Sequence, residues 1–328
     1  MIISRTPFRI SFFGGGTDFP AFFRQHGGAV LAATIDRYCY LSVHRLAPLF
    51  KHRFRASYSR TESVLQPDEF QHPLIRETLR LLDQREGIEI AHTADLPGQT
   101  GLGSSSAFTV GLLNAVQAFN GRLRTPAELA RQAIEVERER VGDAGGWQDQ
   151  YEAAYGGFRR FDFAPDDSVQ VRHVALSAAR LHALEQSLML FYMGSESSAA
   201  AVLQDQERRA GENQAALLAL RRMVDQAEDL LTGARPLAEF GDLLHEAWQL
   251  KRSLSAGISN PPIDQAYAAA RAGGARGGKL LGAGGRGFLC LFAEPENQTA
   301  VRAALRDLAE VRFRFGSEGS RIIFKSPE

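Results

Sequence analysis

The stretch PGQTGLGSSSA, residues 97 to 107, sets three consecutive hydroxyls directly ahead of an apolar run. Gly101 and Gly103 permit a tight turn and a close ligand approach to main-chain N–H groups. The helix predicted from Ser104 adds the positive end of its dipole, so the backbone forms an anion cradle. Ser104, Ser105 and Ser106 can donate to phosphate oxygens or ligate a magnesium ion, and three serines exceed what one helix cap needs. A Walker A loop requires a lysine here. None occurs between residues 52 and 250, so the P-loop fold is excluded.

Other residues could also carry chemistry. Glu137 falls on the apolar stripe Ala130, Ile134, Val141 of a predicted helix, and an inward carboxylate needs a partner. That partner is either an arginine in a buried ion pair or a ligand. Asp149, in GGWQDQYEAAYGG, is either a helix N-terminal carboxylate or a proton acceptor. Arg9 alternates within FRISF as a solvent-facing strand residue or a cation at a site, and Asp18 is a candidate turn residue. A second glycine cluster, Gly282 to Gly287, formally matches a dinucleotide fingerprint. It runs into the apolar strand FLCLF instead of opening a helix, so the Rossmann reading fails on context. The histidines show no metal-ligand spacing.

These residues need a scaffold. Strands are predicted at RISFFG, AVLAATIDRYCYLSVHRL and GIEIAHTADLP, and helices at 72–85, from Ser104 to a stop at Gly121, and from the capping box of Thr125, Pro126 and Glu128. Beyond about residue 178 the text turns to long helices, framed by the strands SLMLFYMG and FLCLFAEP and closed by VRFRFG and RIIFKS. This order suggests a ferredoxin-like α+β second domain, giving units 1–178 and 179–328.

Composition sets the outer limits. The 328 residues carry 38 basic and 38 acidic side chains, so no global field favours nucleic acid or an anionic membrane. Hydrophobic content of 44 % is that of a globular protein. No uncharged apolar run reaches a membrane span, and Arg5 and Arg9 interrupt any signal-peptide core. Cys39 and Cys290 sit in apolar strands and make no disulfide framework. A cytoplasmic protein without membrane or nucleic-acid partners, monomeric or homodimeric, is expected.

Taken in order, TPFRISFFGGGTD, PGQTGLGSSSA and GGKLLGAGGRGF resemble the GHMP kinase superfamily over essentially the whole chain. Within it, RISFFGGGTDFPAFF, GGWQDQYEAAYGGF and LLHEAWQLKRSLSAGISNPPID look most like sugar 1-kinases for heptose 7-phosphate, with L-fucokinase-type domains as cousins. The third motif departs from the family, which has glycine where Arg286 stands.

The resemblance implies an α+β two-domain fold, with an N-terminal domain of the ribosomal protein S5 domain 2 type and a ferredoxin-like C-terminal domain. ATP and sugar would share the cleft between them. It implies that Pro97, Gly101, Leu102, Gly103, Ser104, Ser105 and Ser106 hold ATP, with backbone amides replacing the Walker lysine. Glu137 and Ser105 would hold Mg2+, Asp149 would accept or orient the sugar hydroxyl proton, and Arg9 would steady the transferring phosphate. Gly15, Gly16, Thr17 and Asp18 would contact the sugar. A phosphorylated sugar needs a further cationic pocket, for which Arg24, Arg37, Lys51, Lys251 and Arg252 are candidates; Lys251 and Arg252 read otherwise as a solvated helix face. The alternatives are a free-sugar 1-kinase, a sugar- and ATP-binding regulator without turnover, and a dinucleotide-dependent oxidoreductase.

Overall fold

The structure, a computed structural model, describes residues 1–98, 100–194 and 199–326. Strand β1 (Ile2–Phe13) runs into a glycine turn and α1 (Pro20–His26), then returns antiparallel as β2 (Gly28–Arg45). The eighteen residues of β2 form one continuous strand long enough for two partners. The hairpin β3 (Phe54–Ser57) and β4 (Thr61–Val64) and the helix α2 (Pro73–Leu81) precede β5 (Ile88–Ala94), which pairs with the second half of β2.

Helices α3 (Ser104–Phe119), α4 (Pro126–Ile134) and α5 (Gln148–Tyr155) come next, followed by β6 (Phe158–Phe163) and β7 (Val169–His173). Strand β6 pairs with the first half of β2, so one strand carries the two arms of an eight-stranded sheet. Nearly every residue of α3 from Ser106 to Ala118 is buried, because the helix lies on β1 and β2 beneath α4 and α5. The capping box at Thr125 forms as the sequence predicts. The predicted single helix beyond it does not continue as α-helix: Glu135–Arg140 wind as a π-turn, a local widening that often accompanies functional side chains.

The second part begins with α6 (Ala178–Ser187) and β8 (Leu188–Tyr192), then α7 (Ala199–Arg208), α8 (Gln214–Thr232), α9 (Ala238–Ser253) and α10 (Pro261–Ala272). Strands β9 (Gly277–Leu280) and β10 (Phe288–Phe292) complete a three-stranded antiparallel sheet in the order β8-β10-β9. The short helix α11 (Gln298–Ala304) and strand β11 (Arg321–Lys325) end the fold. Arg160 of β6 pairs with Asp162 at 2.8 Å and with Glu228 of α8 at 2.7 Å, which ties the helical layer to the large sheet.

The closing segments differ from expectation. RIIFKS does not extend the second sheet: β11 lies antiparallel to the start of β1 and covers backbone groups that an open edge would leave unpaired. Residues 311–316 make an isolated bridge, Phe315 to Ile35, instead of a strand. No helix of the described residues is long and apolar enough to cross a membrane. Both cysteines are free and buried.

Candidate active site

Two pockets meet at Arg9 and Asp149. The smaller, of about 80 Å³, lies among the turn after β1, the start of α5, and Lys251 and Lys279 from the second part. The larger, of about 1060 Å³, is bordered by the serine loop and the glycine cluster of residues 282–286. Arg9, Arg138, Asp149, Leu203, Gly282 and Ala283 line both.

Arg9 does not face solvent. Its side chain is 4 % exposed, and its Nε and Nη2 each donate to a different oxygen of Asp149 at 2.8 Å. Nη1 donates to the Gly101 carbonyl at 2.6 Å, and the Arg9 backbone N–H donates to the Leu102 carbonyl. One guanidinium therefore fixes Asp149 relative to the serine loop, with the planar geometry that suits a carboxylate.

That loop turns through left-handed Gly101 (φ +80°) and Gly103 (φ +73°). Gly103 is the N-cap of α3 and, as a glycine, brings no side chain over the first turn of the helix. A Cβ on Gly101 would lie 2.3 Å from the Leu281 carbonyl oxygen, and one on Gly282 would lie 2.5 Å from the Gly101 Cα. The two glycine clusters are pressed backbone to backbone. Gly101, Gly103, Ser104, Ser105 and Ser106 line the large cleft as the sequence suggests. Pro97 and Leu102 do not: the Pro97 carbonyl accepts from Thr100, and Leu102 is buried in the core beneath the loop. Arg286 lines the same cleft.

Glu137 is 1 % exposed, carried inward by the π-turn. Its Oε2 accepts from Ser106 Oγ at 3.0 Å and Gln150 Nε2 at 2.8 Å, with Arg138 Nη1 at 3.8 Å. Burial raises its carboxyl above the usual value, opposed by Arg138 and by hydrogen bonds from Gln150 and Ser106. Ser106, not Ser105, is the serine in contact with Glu137, because one helical step turns the Ser105 side chain outward. Among the described residues the buried Oε1 has no hydrogen-bond partner. Among the described residues no group of three or more His, Cys, Asp or Glu side chains is placed to hold a metal. A cation at Glu137 Oε1 would complete its shell from loop hydroxyls and the oxygens of a bound phosphate, a donor set that suits a hard divalent ion.

The turn after β1 divides its labour. Gly15 and Gly16 line the small pocket. Asp18 is fully buried at its edge, and its two oxygens accept from the backbone N–H groups of Gly16 and Gln148 at 2.9 and 3.1 Å. This clamp sets the first turn of α5 and hence Asp149. Gly146 makes room for it, since a Cβ there would lie 1.8 Å from Asp18 Oδ2. Burial raises the Asp18 carboxyl, against the pull of those two hydrogen bonds. Thr17 does not reach the pocket: its hydroxyl is spent on Gly14 and Ala29 backbone groups and is wholly buried.

Among the cationic candidates, Arg24 pairs with Asp167, Arg37 with Asp36 and Arg252 with Asp264, and these three and Lys51 line neither pocket. Lys251 is not on a solvated face but is buried at 7 % exposure. Sequence reasoning missed Lys279 altogether, although a lone lysine within GGKLLGAGGRGFLCLF was the available signal. It also missed the aromatic end of the large cleft, where His72 stacks on Phe108 with ring centres 5.1 Å apart, and Tyr58 and His92 complete the wall. Burial lowers both histidines, favouring neutral rings suited to stacking.

Comparison with known proteins identifies the family. The family described as GHMP kinases N terminal domain matches residues 73–157, and GHMP kinases C terminal matches residues 217–311. The chain belongs to the GHMP kinases. This GHMP kinase is an ATP-dependent phosphotransferase acting on an alcohol group. It is 28 % identical to the D-glycero-alpha-D-manno-heptose 7-phosphate kinase of Campylobacter jejuni, over 93 % of each chain. It is also 28 % identical to the mevalonate kinase of Pyrococcus horikoshii, over 82 % of this chain and 78 % of that one. A solved D-glycero-D-manno-heptose 1-phosphate kinase from Bacteroides thetaiotaomicron superposes over 100 % of both chains with a TM-score of 0.75 and 25 % identity. The match confirms the α+β two-domain kinase fold.

Proposed function

We propose that this kinase transfers the γ-phosphoryl group of ATP to the anomeric hydroxyl of D-glycero-D-manno-heptose 7-phosphate, giving the 1,7-bisphosphate, with Mg2+ as cofactor. The observation that carries the reading is the position of Arg9 and Asp149 in the wall between the two pockets. Likeness over 93 % of a heptose 7-phosphate kinase supports the choice of acceptor.

Nucleotide fits the large cleft, with its base against Phe108 and His72 and its phosphates at the N-terminus of α3. The acceptor approaches Asp149 from the side of the small pocket, which has room for part of it. Asp149 then accepts or orients the proton of the hydroxyl at the junction, while Arg9 holds that carboxylate in place and faces the phosphoryl group in flight. When bound, Mg2+ neutralises charge on the phosphate oxygens, and Glu137 with a serine of the loop would hold it. The resemblance gives Ser105 that role, whereas the contact with Glu137 favours Ser106.

A phosphorus NMR time course with ATP, Mg2+ and heptose 7-phosphate, L-fucose, galactose or mevalonate tests the reading. A new anomeric phosphate signal with heptose 7-phosphate alone is expected. Turnover of a free sugar instead would overturn the substrate, and binding without turnover would favour a regulator.

A further inference from the structure

Lysine is scarce in this chain, with four residues, and two of them are buried. Lys251 Nζ, on α9, donates to the Gly15 carbonyl at 3.3 Å and to Gln206 Oε1 at 2.9 Å. Lys279 Nζ, on β9, donates to the Phe12 carbonyl at 3.0 Å. These acceptors are all neutral. An ammonium has three N–H donors, so both lysines have donors to spare.

Burying a cation without a counter-charge is costly, and here two are buried close to Arg9. Burial and repulsion from Arg9 lower Lys251 to about 8 and, with repulsion from Lys251 as well, Lys279 to about 7. Asp18 opposes both shifts and Cys290 opposes that of Lys279, but the Asp18 oxygens are already engaged by backbone N–H groups. A fold indifferent to function would place methionine or leucine at these positions.

Both lysines line the small pocket and neither lines the large one, so they stand on the acceptor's side of Asp149. We infer that Lys251 and Lys279 seat an anionic group of the acceptor, a phosphate monoester borne at the end of the sugar remote from the reacting hydroxyl. The pocket volume of about 80 Å³ suits such a group. A water needs about 10–15 Å³ on the same measure, so the space holds a handful of waters or one tetrahedral anion. The assignment rests on the sugar-kinase reading above and adds the determinant of its specificity.

The scarcity of lysine makes the test direct. Protein labelled with 13C and 15N in lysine gives four side-chain signals, and the two buried ones are set apart from exposed Lys51 and Lys325 by slow solvent exchange. Titration of the wild-type protein with inorganic phosphate, and then with heptose 7-phosphate, should move the Lys251 and Lys279 signals and leave the other two in place. Lys251→Met and Lys279→Met assign the signals, and each should raise KM for the sugar phosphate at least tenfold while KM for ATP moves less than twofold.

Unmoved buried signals in protein saturated with the sugar phosphate would overturn the inference. So would variants in which kcat falls and KM for ATP rises while KM for the sugar phosphate stays fixed, since the lysines would then serve the transferring group. Buried-lysine shifts with phosphate in a protein that turns over no sugar would support an anion seat while removing the sugar-kinase reading.

Discussion

Arg9 holds both carboxylate oxygens of Asp149 at 2.8 Å in the wall that the small pocket shares with the large cleft. The same guanidinium reaches the Gly101 carbonyl, so one side chain sets the distance between the candidate proton acceptor and the phosphate loop. Replacing Arg9 with Met removes charge and alignment together. We expect kcat to fall about 10²–10³-fold, with ATP affinity reduced much less. Arg9→Lys keeps the charge but loses the bidentate grip, and should recover only part of the loss in steady-state kinetics.

The contact between the two glycine clusters predicts a steric failure. At Gly101, φ is +80° and a Cβ would lie 2.3 Å from the Leu281 carbonyl oxygen. Gly101→Ala must strain the backbone or separate the loop from the second part, at a cost of about 1–3 kcal/mol. Thermal unfolding and nucleotide titration should show lower stability and weaker ATP binding. Wild-type values in both would remove the claimed interlock.

Lys279 should reduce stability in a pH-dependent way. Its folded value of about 7 lies below the ordinary 10.5, so between these values the unfolded chain binds the extra proton and stability rises with pH. Below about pH 7 both states are charged and the full penalty remains. Lys279→Met should therefore be more stable than wild type, by about 1–3 kcal/mol near neutral pH and below, with the advantage fading toward pH 10.5. Urea unfolding across that range measures the difference.

Glu152, one helical turn beyond Asp149, presents a related case with the opposite sign. It is fully buried, and neither carboxylate oxygen has a hydrogen-bond partner among the described residues. Burial raises its carboxyl well above 4.5, with Arg9 and Arg159 opposing. Above pH 4.5 the unfolded chain ionises while the folded one stays neutral, so this group costs stability as pH rises. Glu152→Gln should gain on wild type from that pH upward. A difference in urea midpoint that stays constant with pH would contradict this.

Local rules made much of the scaffold legible. The Thr125 capping box, the helix from Ser104 and the inward Glu137 follow from caps and periodicity, and the structure bears them out. Strand β9 was harder to see, because GGKL reads as a turn until β10 supplies its partner. The return of β11 to β1 is a long-range pairing that no local pattern encodes. At the site, the resemblance pointed to Arg9 and Asp149, whose residue types alone left them open, but not to the bond between them. Thr17 was misplaced because a hydroxyl in a glycine turn looks the same in sequence whether it faces a ligand or its own backbone. Lys251 was hidden by the neighbouring Arg252, which is partly exposed and pairs with Asp264.

The central claim is that Asp149 handles the acceptor's proton at the junction of two separate binding pockets. Its most direct test is the turnover of Asp149→Asn with ATP, Mg2+ and heptose 7-phosphate, measured alongside calorimetric binding of ATP. We predict a fall in kcat of about 10²–10⁴-fold with ATP affinity within a few-fold of wild type. Turnover retained within tenfold by the folded variant would contradict the assignment of Asp149 and, with it, this account of the site.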